Sequence, residues 1–196
     1  MKLLKVFILS IMTVSCCSES VKDVYVVAGQ SNAVICDWSS FEQKTNSTVV
    51  NIAIVGASIH SLIKGYSASA SKRKNLRGVI FVHGETDSRV NTPPKNYVDM
   101  VERYRKMISH GADTQLPMYI STVGYKHGYN KNSYDKIRSE VILRAKNNKM
   151  WNISFNGAKD FFYNGGLIDD VHFSPASCES MIESILQSIK NNENKL

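Results

Sequence analysis

Val24-Tyr25-Val26-Val27-Ala28-Gly29-Gln30-Ser31-Asn32-Ala33 is the stretch on which the fold is read. Five apolar or aromatic residues run together without a charged or amide side chain, as in a strand covered on both faces. The run then breaks at a glycine followed by small polar residues, which is turn chemistry. Similar short runs, rich in Val and Ile, recur at residues 49–55, 78–82, 118–123 and 151–155. Helical periodicity lies between them. Tyr97, Val101, Tyr104 and Ile108 step by four, three and four, and Gly111 is expected to stop that helix. Ser133 is the expected N-cap of a helix carrying Ile137, Val141 and Ala145 on one face. Ser174 and Pro175 open a last helix whose apolar stripe is Cys178, Met181, Ile182, Ile185, Leu186 and Ile189. This alternation predicts a flavodoxin-like three-layer α/β/α domain with a parallel sheet of about five strands.

Bulk properties agree with one domain. The 196 residues suffice for one core, and 43% hydrophobic with 21% charged residues is ordinary globular composition. The net charge is +7, and loss of Lys2 and Lys5 with an N-terminal segment leaves +5. Basic residues are dispersed apart from Lys72, Arg73, Lys74 and Arg77, which read as a solvated loop, so no nucleic-acid partner is expected. No internal repeat is visible, and residues 191–196 read as a frayed polar tail.

The N-terminus has its own pattern. Lys2 and Lys5 flank an apolar run over residues 6–14 that ends at Ser15-Cys16-Cys17. A basic start, a short apolar core and small residues describe an export signal over residues 1–16; the run is too short to span a bilayer. A buried first strand or helix is the competing reading. Export would place the protein in the periplasm, in the medium or on the cell envelope. Cys16 is a candidate lipidation site, which would be the chain's one link to a membrane, although Thr13 and Val14 depart from the usual lipobox. The domain proper is read as residues 21–190. Its cysteines, Cys36 and Cys178, could pair in an oxidising compartment, but two lone buried thiols are the expectation. No spacing of His, Cys, Asp or Glu resembles a metal site.

In a parallel sheet the chemistry collects at the carboxyl ends of the strands. Ser31, just past the first strand and behind Gly29, would sit on a turn with its hydroxyl exposed and its N–H available to an oxyanion. Asp169-x-x-His172 lies in the loop before the last helix, where the carboxylate could fix the imidazole tautomer and free its other nitrogen as a base. Asp170 is an alternative partner. Gly56, closing the second apolar run, could offer an oxyanion N–H or simply make a turn. His83-Gly84-Glu85-Thr86-Asp87 closes the third.

In this order, Gly29-Gln30-Ser31-Asn32, Gly56, His83-Gly84-Glu85-Thr86-Asp87 and Asp169-x-x-His172 resemble the SGNH hydrolases, and within them the sialate O-acetylesterase and acetylxylan esterase branch. The resemblance spans nearly the whole chain from Val24 onward. It implies Ser31 as nucleophile, His172 as general base and acid, and Asp169 as its orienting partner. Gly56 and the Ser31 amide would hold the oxyanion, with Gln30, Asn32, His83 and Glu85 completing the oxyanion and substrate region. The implied reaction is hydrolysis of a small acyl ester, acetyl on a carbohydrate such as sialic acid or xylan, with no cofactor. Glu85 matches a glutamate expected to hold the site loops in place. The chain departs from the branch at His83, where glutamine is usual, and at Phe81, where tryptophan is common. It is also shorter than many members.

Two other readings stand beside this one. An esterase or thioesterase for lipid-like acyl chains would share the same three residues but need an apolar slot. A non-catalytic carbohydrate-binding lipoprotein would be favoured by the change at His83 and disfavoured by the presence of Ser31, Asp169 and His172 together. The loop Tyr125-Lys126-His127-Gly128-Tyr129 follows the fourth apolar run, and its aromatic and polar residues suit a sugar ring as well as they suit an ordinary loop.

Overall fold

A computed structural model describes residues 22–66, 75–110 and 115–194 of the chain. Five strands, β1 (Val24–Gly29), β2 (Thr48–Asn51), β3 (Leu76–Val82), β4 (Met118–Ser121) and β5 (Trp151–Phe155), form one sheet in the order β2-β1-β3-β4-β5. Every neighbouring pair is parallel. The fold class is the one expected from the sequence.

Side chains alternate across the sheet because successive Cβ atoms point to opposite faces. Val24, Val26, Ala28, Val79, Phe81, Met118 and Ile120 share one core with α3 (Ile59–Gly65), α5 (Pro94–Ser109) and α6 (Lys131–Lys146). Tyr25, Val27, Ile80, Val82 and Tyr119 form the other with α1 (Ser31–Ile35), α2 (Ser39–Thr45), α7 (Ala158–Asn164) and α8 (Pro175–Glu193). One further helix, α4 (Glu85–Arg89), follows β3 closely at its carboxyl end.

Local chemistry sets the boundaries. The Ser174 hydroxyl accepts from the Ser177 N–H at 3.2 Å, so α8 starts where its cap was read. For α6 the cap is Asn130, whose side-chain Oδ1 accepts the Asn132 N–H at 3.0 Å; Ser133 lies inside the first turn and its hydroxyl donates to the Asn130 backbone O. At its far end α8 continues to Glu193, past the point where a frayed tail was expected, with the Gln187 amide donating to Asn191 at 2.9 Å. β2 ends at Asn51, short of the expected residue 55. The Asn51 side chain donates to Ala33 O and accepts the Ala53 N–H, offering the backbone an alternative to the ladder. Ile52 and Ile54 still donate to Val27 O and Gly29 O, but Val55 is 66% exposed.

The two cysteines are not lone thiols. Cys36 and Cys178 form a disulfide with Cα atoms 5.4 Å apart. The C-cap of α1 and the first turn of α8 pack on the same face of the sheet, although 142 residues separate them in sequence. The export segment, Cys16, Lys72 to Lys74, Gly111 and residues 195–196 lie outside the described residues. Arg77, the remaining member of the basic cluster, pairs with Asp23 at 2.7 Å.

Candidate active site

The strand order reverses between β1 and β3, since β1 leads to β2 on one side while β3 opens the other. Such a switch point leaves a crevice at the carboxyl ends of the two strands. Gly29 closes β1 there with φ +140°, and a Cβ on it would stand 1.9 Å from Val82 O, so no other residue fits between the strands. The Gln30 N–H donates to Val82 O at 3.1 Å, and the chain turns directly into α1 at Ser31. Ser31 is therefore fixed at the helix's first position, where backbone N–H groups lack intrahelical acceptors.

Ser31 and His172 line one cavity of about 210 Å³ at this crevice, together with Gln30, Gly56 and Glu85. Gly56 has φ +68°, and nothing lies within 4 Å of where its Cβ would be, so its backbone faces open space. The His172 Nδ1–H donates to Asp169 Oδ2 at 2.6 Å, which leaves Nε2 as the ring's acceptor. The other Asp169 oxygen accepts the N–H groups of Val171 and His172, both at 2.8 Å. The hydrogen bond from His172, reinforced by these two amides, holds the Asp169 carboxyl at about 2, well below the usual range. Asp170 plays another part: its carbonyl accepts the His127 N–H at 3.1 Å.

Two residues expected at the substrate stand elsewhere. Asn32 is fully buried, and both its donors and its side-chain oxygen are bonded inside the protein. Its Nδ2 donates to Glu85 Oε1 at 2.9 Å and to Val171 O at 3.2 Å, and its Oδ1 accepts the Phe173 N–H at 2.9 Å. It ties α1 to α4 and to the His172 loop rather than touching a ligand. His83 lies beneath the site, in the core. It stacks between Phe81 and Tyr97 with ring centres 5.2 and 5.8 Å away, and its side chain has no exposed surface. Nε2 donates to Ala57 O at 3.1 Å, and Nδ1 accepts from the Tyr97 hydroxyl at 3.0 Å. Burial lowers its pKa despite the opposing Asp87 carboxylate, so the ring is neutral. The reason for its place is strand parity: His83 falls on the same face as Phe81, away from α1.

Glu85 is 4% exposed, on the cavity wall. Oε1 takes the Asn32 amide, while Oε2 is buried with no hydrogen-bond partner among the described residues. Burial pushes its carboxyl above the usual range, although Asn32, its own backbone and His172 pull the other way. The folded protein thus holds this proton to higher pH than the unfolded chain does, and Glu85 removes stability as pH rises above the unfolded value of about 4.3. Glu85→Gln, which keeps an acceptor for Asn32, should therefore gain stability over wild type, with the gap widening from pH 5 to pH 8. Thermal unfolding at both pH values reads this; a gap that is constant or narrows would contradict the assignment.

The cavity also holds residues outside the motifs that carry the resemblance, one of them from the loop after the fourth apolar run. Arg89 and Lys126 both line it, with Thr86, Val55 and Val171. Arg89 lies four residues after Glu85, a spacing that puts both on one face of α4. Neither Arg89 nor Lys126 has an ion-pair partner among the described residues. No group of three or more His, Cys, Asp or Glu among the described residues could hold a metal ion.

Neither a family model nor a curated protein matches the chain by sequence. Its fold, however, is that of known structures. The esterase EstA from Pseudoalteromonas sp., inhibited by monoethylphosphonate, superposes with a TM-score of 0.67 at 14% identity, over 88% of this chain and 100% of that one. TesA gives 0.66 at 15% identity, over 87% and 99%. The catalytic domain of the peptidoglycan O-acetyltransferase OatA from Streptococcus pneumoniae, carrying a methylsulfonyl adduct, gives 0.60 at 17%, over 89% and 97%. The fold is thus the five-stranded α/β fold of the G-D-S-L, or SGNH, hydrolases.

Proposed function

We propose that the protein is a serine esterase that removes small acyl groups, acetyl above all, from carbohydrate. The observation that carries this is the convergence of Ser31 and His172 on one cavity, with the imidazole oriented by Asp169 at 2.6 Å. Ser31 Oγ attacks the ester carbonyl carbon while its proton passes to His172 Nε2. The carbonyl π pair moves onto oxygen, where the N–H groups of Ser31 and Gly56 receive it. Collapse expels the sugar alkoxide, which takes the proton from His172, and leaves acyl-Ser31. Water, deprotonated by His172, repeats the cycle and releases acetate.

The support for a small acyl group is the size of the cavity, about 210 Å³, with Arg89, Lys126, Gln30 and Glu85 in its walls beside Val55, Gly56 and Val171. The support for export is the disulfide, since such bonds persist in oxidising compartments. A lipid anchor at Cys16 remains part of this proposal, read by intact mass. The reading as a non-catalytic binding protein loses its argument, because His83 is not part of the cavity wall and its exchange for glutamine there takes nothing from the site.

One observation favours the rival acyl-chain reading. A larger groove of about 360 Å³ borders the His172 loop at Ile168 and Phe173, its walls completed by Ile35 and Pro175 and, at polar positions, by Asp37, Ser40 and Glu179. Ile35 and Ile168 are 44% and 64% exposed. A series of p-nitrophenyl esters from acetyl to octanoyl, with Ser31→Ala as control, separates the two. The carbohydrate reading expects kcat/KM to be highest on acetyl; a maximum at octanoyl would move the assignment to lipid-like esters.

A further inference from the structure

Beside the cavity, and meeting it at Lys126, the loop after β4 and α7 build a second surface. Lys126, on the cavity wall, stands with Nζ 5.3 Å from the centre of the Tyr129 ring. The next residue, His127, stacks on Phe162 at 4.1 Å, and its N–H bond to Asp170 O ties this loop to the one that carries Asp169 and His172. Lys131 Nζ lies 4.5 Å from the Phe162 ring and 4.6 Å from that of Tyr163, and donates to the Tyr163 hydroxyl at 3.0 Å. Tyr129 and Tyr163 nonetheless remain 41% and 64% exposed. Among the described residues neither Lys126 nor Lys131 has a carboxylate partner.

Exposed aromatic rings clustered beside a cavity mark a contact surface more readily than scattered ones do. Its chemistry selects the occupant. An acyl chain laid across it would strip water from two ammonium groups and offer nothing in return. A pyranose ring does the opposite: its C–H face packs on a tyrosine ring, and its hydroxyls or carboxylate reach outward to ammonium and phenol groups.

We infer that this surface is a subsite for the sugar residues flanking the acetylated one, so that the substrate is a glycan chain rather than a monosaccharide. The inference rests on the esterase reading: the acetylated residue occupies the Ser31 cavity, and the chain leaves past Lys126 over Tyr129 towards Tyr163.

The test compares p-nitrophenyl acetate, a monosaccharide acetate and acetylated oligosaccharides of two to six residues, one series neutral (xylo-oligosaccharides) and one acidic (oligogalacturonides). In at least one series kcat/KM should rise with length by about tenfold or more, the scale of one or two added ring contacts. Tyr129→Ala/Tyr163→Ala should cancel that rise through KM and leave p-nitrophenyl acetate turnover unchanged. No length dependence in either series, or an equal fall on every substrate, would overturn the subsite while leaving the esterase intact. Should p-nitrophenyl acetate not be turned over at all, the esterase reading fails by itself. Calorimetric binding of the same oligosaccharides to the wild-type chain then decides the subsite: binding lost in the double variant supports it, and no binding overturns it.

Discussion

Ser31→Ala and His172→Ala are each expected to lower kcat by on the order of a thousandfold or more, about 4 kcal/mol of transition-state stabilisation. The two losses should be similar in size and should not add in the double variant, because nucleophile and base act as one unit. Asp169→Asn should cost no more than these. Its carboxylate is about half exposed, so water can replace part of what it does for the imidazolium, while the lost charge still weakens tautomer control. Turnover of p-nitrophenyl acetate provides the measurement, with thermal unfolding as the check on the fold. Among the described residues the Ser31 hydroxyl makes no hydrogen bond, and its loss should leave the melting curve in place. A phosphonate ester, which phosphonylates an activated serine, should add its mass to wild type and not to Ser31→Ala. Near wild-type turnover in both alanine variants would mean that the chemistry lies elsewhere.

What the sequence made legible follows from what local chemistry can encode. Strands buried on both faces announce themselves as apolar runs, and α8 as a capped apolar stripe, so the layers and the sheet's polarity were readable. The place of Ser31 at the end of β1, and of Asp169 and His172 just before α8, is legible because each borders such an element. For His83 the resemblance implies a place at the oxyanion, whereas the structure buries it in the core. The period of two already set it on the face of Phe81, and continuing the β3 alternation by one residue would have found it. Asn32 illustrates a different limit. Its three partners come from positions 53, 139 and 141 residues away, and no local pattern records a bond across such distances. The loop of Lys126 suits a sugar or an ordinary surface equally well in sequence, and Arg89 carries no motif; only the strand order brings α4 and the loop after β4 to one cavity.

The disulfide shows the same limit most plainly, and its removal carries the second large effect. Two cysteines 142 residues apart have no local signature of pairing, and each looked like a small apolar residue in its own element. In the folded chain they join α1, five residues past Ser31, to α8, six residues past His172. A crosslink closing so long a loop removes chain entropy from the unfolded state worth about 5 kcal/mol in the ideal case, and roughly 2–4 kcal/mol in practice. Against a domain's net stability of about 5–15 kcal/mol this is a large share. The variant Cys36→Ala/Cys178→Ala should therefore melt roughly 5–15 °C below the oxidised wild type, and reductant should bring wild type down towards the variant. Activity well below the melting point should fall only a few-fold. The Asn32 bonds to Val171 O and the Phe173 N–H bridge α1 and the His172 loop independently of sulfur. A kcat loss comparable to that of His172→Ala, with the fold still intact, would make the crosslink an aligning element and not only a stabilising one. A melting point indifferent to reductant, with the thiols of both Cys36 and Cys178 alkylated in the unfolded, unreduced protein, would restore the reading of Cys36 and Cys178 as separate buried cysteines.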